Sequence, residues 1–101
     1  MLYRLYSSAG NTRGLKDYLG YFEIDLDGYF TRYLEINSNG LAYRYTRDHA
    51  ADAFGALPDG VWNEAEASKA ENGVLAPITA SLFAAVWART RCDNVKPPAA
   101  V

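Results

Sequence analysis

Two dipeptides, Asp27-Gly28 and Asn39-Gly40, constrain this chain more than any other feature. Each sits between runs in which apolar and polar residues alternate. Asp-Gly and Asn-Gly supply the positive φ that tight hairpin turns require, so they are strong short-range hairpin signals. The spacing predicts strands over residues 18–26, 29–37 and 41–47, joined as an antiparallel meander. A further strand over residues 2–6 precedes them, across a loop of turn formers at residues 7–14.

The second half of the chain has a different character. Ten of the fourteen aromatic residues, including all eight tyrosines, precede residue 47, and alanine dominates after it. Tyr and Phe favour strands and Ala favours helices, so strands come first and helices later. The predicted fold is α+β: a four-stranded, mainly antiparallel sheet with a C-terminal helix packed on one face. Residues 48–60 read as irregular, with one helical turn near His49 to Phe54 and a turn at Pro58-Asp59-Gly60. A short polar helix is predicted over residues 63–72. Pro77 breaks the chain, and Thr79 caps a last helix that runs to about Arg91. Leu82, Phe83, Val86 and Trp87 fall at helical spacing on it. Residues 1–93 form one domain, and residues 94–101 a flexible tail.

Composition excludes several classes of function. Half of the 101 residues are hydrophobic, enough for one core, so wholesale disorder is excluded. The net charge of −2 and pI near 5.2 lack the basic excess of a nucleic-acid binder. Cys92 is the single cysteine and His49 the single histidine, so neither a disulfide nor a zinc cluster is expected, nor any cofactor. Gly10, Gly14 and Gly20 form no phosphate-binding pattern. No apolar run reaches the ~20 residues that span a bilayer. The first residues are too few and too polar for a signal peptide, so a cytoplasmic protein is expected.

If both turns are two-residue loops, the register follows. Glu23 then opposes Arg32, Ile36 opposes Tyr43, Glu35 opposes Arg44, and Arg32 opposes Arg47. One face carries Leu19, Leu34, Ile36, Tyr43 and Tyr45 beside a charged cluster of Glu23, Asp25, Arg32 and Arg47. The last helix is expected over the apolar half. The opposite face carries Phe22, Tyr29, Tyr33 and Arg44, with Tyr18 at its margin. Either Tyr3, Tyr6 and the helices bury part of it, or it is a protein-binding face, since Tyr and Arg are enriched at interface hot spots.

Carboxylates two apart on a strand, Glu23/Asp25 and Asp25/Asp27, share a face and suit acid–base work. Pairing with Arg32 and the turn role of Asp27 favour a structural reading, and no enzyme is expected. Alternation of Tyr with Arg through residues 29–47 suggests base stacking, but the interleaved acids oppose it.

The segment Tyr21-Phe22-Glu23-Ile24-Asp25-Leu26-Asp27-Gly28-Tyr29, followed by Arg32, Asn39-Gly40 and Tyr43, resembles a family of small bacterial domains of unassigned function. Its members read Tyr-x-Glu-Ile-Asp-x-x-Gly-Tyr-x-x-Arg and close on a Phe-x-x-x-Trp helix, here Phe83 to Trp87. Such domains are similar to immunity proteins of bacterial toxin systems. The resemblance implies a non-enzymatic protein that neutralises a cognate toxin by occlusion. On that reading Asp25, Asp27, Asp48, Asp52 and Asp59 meet a basic cleft and speed association, and Tyr29, Tyr33 and Arg44 anchor the partner. One alternative is a phage-encoded inhibitor of a bacterial defence system, of the anti-CRISPR type. Another is an enzyme or small-ligand module built on Glu23, Asp25, Arg32 and Arg47, which predicts a concave pocket above them.

Overall fold

A computed structural model describes residues 1–8, 17–69 and 73–95. Residues 9–14 of the predicted loop, residues 70–72 at the end of the predicted polar helix and residues 96–101 of the predicted tail lie outside the described residues.

The fold is α+β. Strands β1 (Leu2–Ser8), β2 (Tyr18–Ile24), β3 (Phe30–Asn37) and β4 (Ala42–Thr46) form the predicted antiparallel meander. After them come a small hairpin of β5 (Ala51–Asp52) and β6 (Gly55–Ala56), helix α1 (Glu64–Ser68), strand β7 (Gly73–Pro77) and helix α2 (Ala80–Arg89). Among the described residues, the main sheet has five strands in the order β4-β3-β2-β1-β7. The fifth strand was not anticipated: a five-residue run ending in Pro77 reads as a break. Proline is tolerated there because β7 is an edge strand that pairs on one side only, with β1. The helical turn predicted near residues 49–54 is instead the β5–β6 hairpin.

The turns differ from expectation by one residue each, and the consequences diverge. Both are three-residue loops closed by a left-handed glycine, Gly28 (φ 89°) and Gly40 (φ 85°). In the first, Asp25 N donates to Tyr29 O and Gly28 N to Asp25 O. A bulge between Glu23 and Ile24 then restores the predicted alignment, so Glu23 does oppose Arg32. In the second, Asn37 N donates to Leu41 O and Gly40 N to Asn37 O, and no bulge follows. Ile36 therefore opposes Ala42, Glu35 opposes Tyr43, Leu34 opposes Arg44 and Arg32 opposes Thr46, in place of the predicted Tyr43, Arg44 and Arg47 partners. A one-residue slip moves every side chain of a strand to the other face. Tyr43 and Tyr45 thus leave the helix-covered face and Arg44 joins it.

Helix α2 covers one face, as its apolar spacing predicts. Thr79 caps it, its side chain accepting from Leu82 N. Phe83, 1% exposed, seals that side, and burying such a ring is worth roughly 1.5–3 kcal/mol. Val86 and Trp87 pack on Leu34, Ala42 and Cys92. Leu82, expected in this contact, is 45% exposed. The opposite face carries Phe22, Tyr33, Tyr43 and Tyr45, covered in part by Leu57 and Trp62 from the segment after β4. Asn94 and Val95, at the start of the predicted tail, have fixed contacts: the Asn94 side chain bonds the backbone of Arg44 in both directions, and Val95 packs beside Trp87's cluster.

Candidate functional site

Thr31 Oγ1 donates to Glu23 Oε1 (2.7 Å), and Arg32 grips the carboxylate at both oxygens (Nε 2.8 Å, Nη2 2.6 Å). Arg32 holds the Glu23 carboxyl well below its ordinary range, at about 2, and Thr31 and Tyr3 add to the effect against the cost of burial. The guanidinium lies 4.8 Å from the Phe83 ring centroid and 5.0 Å from that of Trp87. The Glu23–Arg32 half of the predicted cluster is therefore a buried fastener between sheet and helix. Arg47 is on the outside, bonded to Asp25 Oδ2 at 2.8 Å.

Arg44, read as a partner anchor, is committed inside the molecule. Its Nη2 donates to Trp87 O (2.6 Å) and Thr90 O (3.0 Å), carbonyls at the C-terminal end of α2, and its guanidinium stacks 4.5 Å from the Trp87 ring. Tyr33, the second expected anchor, is 8% exposed and donates to Glu35 Oε1 at 2.7 Å. Burial, with Glu35 beside it, pushes its phenol up in pKa, so it stays a donor. Asp52 is also engaged: His49 Nε2, Tyr45 Oη, Asn94 Nδ2 and Phe54 N all lie within 2.9 Å of its carboxylate. The imidazole contact leads in holding its carboxyl far below the usual range.

Of the other predicted contact residues, Asp25, Asp27, Tyr29 and Asp59 gather around the β2–β3 loop. Asp25 Oδ1 accepts from the backbone of Asp27 and Tyr29, which lowers its pKa and shapes the β2–β3 loop. That loop presents Leu26, 91% exposed, at its tip. Tyr29 pairs with Val61, and Trp62 N donates to Gly28 O, so the segment after β6 is stitched to the loop. Met1, Leu2, Leu26, Tyr29 and Val61 all stand exposed here, and a concavity of about 450 Å³ runs between the N-terminus and the loop. Asp27 lies on its rim, and Asp59 lines an adjoining hollow beside Tyr29 and Arg47. Asp48 is exposed next to Arg47. Leu26 and Val61 were missed because an apolar residue in a turn carries no periodic signal; two apolar residues flanking predicted turns were the available hint.

Among the described residues, no three His, Cys, Asp or Glu side chains gather as metal ligands, and no helix is long and apolar enough to cross a membrane. Comparison with protein-family models, curated proteins and solved structures returns no match for this chain.

Proposed function

We propose that the chain is a non-catalytic protein-binding module that uses the β2–β3 loop end of the sheet, in the manner of an immunity protein occluding a toxin. The observation that carries this reading is the apolar patch of Met1, Leu2, Leu26, Tyr29 and Val61, bordered by Asp25, Asp27 and Asp59. A soluble domain rarely leaves so many large apolar side chains together in water unless a partner covers them. A tyrosine and aliphatic centre with an acidic rim suits a partner whose contact surface is apolar at its middle and basic around it. The carboxylates supply association rate and orientation, while the apolar centre supplies residence time.

The Tyr-x-Glu-Ile-Asp-x-x-Gly-Tyr hairpin, which carries the likeness to immunity proteins, contributes Leu26 and Tyr29 to this patch. The test is to co-express the chain with the product of each neighbouring gene and to score survival and complex formation. Rescue from one toxic neighbour, lost in Leu26→Arg and retained in Val74→Arg on the far edge strand, supports the reading. Both positions are exposed, so neither change disturbs the core. Absence of a complex with every neighbouring product, or equal rescue by Leu26→Arg, rejects it.

A further inference from the structure

We propose that the aromatic groove on the sheet face opposite α2 binds an organic ammonium ion, with aromatic side chains as its walls and Glu35 as its counter-charge. The groove encloses about 420 Å³, and seven of the eleven described residues that line it are aromatic. Phe22 and Tyr33 stack along the floor (centroids 5.0 Å, 19°), Trp62 closes one end against Phe22 and Phe30, and Tyr18 and Phe54 line it further. Among the described residues that line it, Glu35 is the single charged one. Rings carry negative potential on their faces, so a ring-lined hollow with one carboxylate attracts a cation with an apolar coat.

The two faces of the sheet are treated differently by the sequence. On the α2 side the rings receive cations from within the chain: Arg32 over Phe83 and Trp87, and Arg44 over Trp87. On the groove side no described Lys or Arg lines the rings. The site is also held in shape before any ligand arrives. Tyr33 Oη fixes one oxygen of Glu35, and Trp62 Nε1 donates to Glu64 Oε2 (2.6 Å), which also receives Arg4. Gly20, opposite Glu35, leaves the room into which the Tyr33 ring leans: a Cβ there would stand 3.1 Å from it. Methylated ammonium groups fit this chemistry better than a bare ammonium, which would surrender more hydration to enter.

The proposal goes beyond partner occlusion and does not depend on it; Trp62 stands between groove and patch. The test titrates choline, free Nε-trimethyl-lysine and the uncharged carbon isostere of choline, in which a tert-butyl group replaces trimethylammonium. Binding is followed by heteronuclear NMR and by the fluorescence of Trp62 in a Trp87→Phe background. Both cations should shift the amides of Phe22, Tyr33, Glu35 and Phe54, and choline should bind about tenfold more tightly than its isostere. The stronger of the two cations tells whether the group comes from a small molecule or a protein side chain. Glu35→Gln keeps an acceptor for Tyr33 and should erase most of the preference for charge. Phe54→Leu, at a ring 60% exposed that stacks on Tyr43, weakens cation binding while keeping an apolar contact with that core tyrosine. Equal binding of choline and its isostere, or no shift at these amides with either cation at tens of millimolar, overturns the proposal.

Discussion

Replacing Glu23 by glutamine removes one charge and almost no volume, so it isolates what the Glu23–Arg32 pair contributes. The carboxyl falls from an ordinary 4.5 to about 2 in the folded protein. At about 1.4 kcal/mol per factor of ten, that fall is worth about 3 kcal/mol at neutral pH. Removing one partner of a well-buried pair costs roughly 3–5 kcal/mol, and Arg32, with about a third of its side chain in water, places this pair at the low end. With a urea slope of about 2 kcal/mol per molar, the midpoint should fall by about 1.5 M at pH 7. The folded-state pKa is depressed, so the contribution is complete above about 4.5 and vanishes as pH falls through about 2. The gap between wild type and Glu23→Gln should close over that window. Asp25 and Asp52, also lowered, titrate in both proteins and drop out of the difference. Urea melts at pH 7, 4 and 2 measure it. Coincident midpoints at pH 7, or a gap as wide at pH 2 as at pH 7, would refute the assignment of this pair as a buried fastener.

Three further outcomes follow from the same geometry. Gly40→Ala should cost about 1–2 kcal/mol in urea melts through left-handed backbone alone, because the added Cβ meets nothing within 4 Å. Arg44→Ala should cost roughly 2 kcal/mol, since it strips two carbonyl partners and a stacked cation from the end of α2. Arg47→Ala, at an exposed side chain, should leave the midpoint unchanged within error, although the sequence sets Arg47 in the charged cluster with Glu23 and Arg32.

Periodicity and turn chemistry were enough to read the fold class, the meander, the Thr79 cap and the covering helix. They reached as far as Glu23 opposite Arg32. That alignment rests on two offsetting events, a three-residue loop and a bulge, and neither is written in the alternation of residues. Asn39-Gly40 suits both a two-residue loop and the last residues of a three-residue loop, because each needs a glycine at positive φ. Local composition does not separate the two; the packing of the resulting faces does. With Tyr43 and Tyr45 turned away from α2, Tyr45 stacks beside Tyr33 and reaches Asp52, while Ala42 leaves room beneath Trp87. Strand β7 was hidden for a different reason. Its pairing partner, β1, lies some seventy residues earlier, and such non-local pairing leaves little trace in a short run of residues.

The same one-residue difference decides what the molecule can bind. Under a two-residue turn, Arg44 would stand directly across from Glu35 on the aromatic face, and the groove would hold its own ion pair. The three-residue turn sends Arg44 to the other side, where it caps α2 and covers the Trp87 ring. Tyr43 takes its place opposite Glu35, so the carboxylate keeps a phenol donor from Tyr33 and gains no cation from β4. An arginine that stabilises the helix side is thus an arginine withheld from the groove. Inserting it back tests that logic: Tyr43→Arg should abolish choline binding by supplying the missing charge from within, while a Tyr43→Leu control, which removes the ring without adding charge, should retain most of it. Retained binding in Tyr43→Arg would show that Glu35 is not the counter-charge.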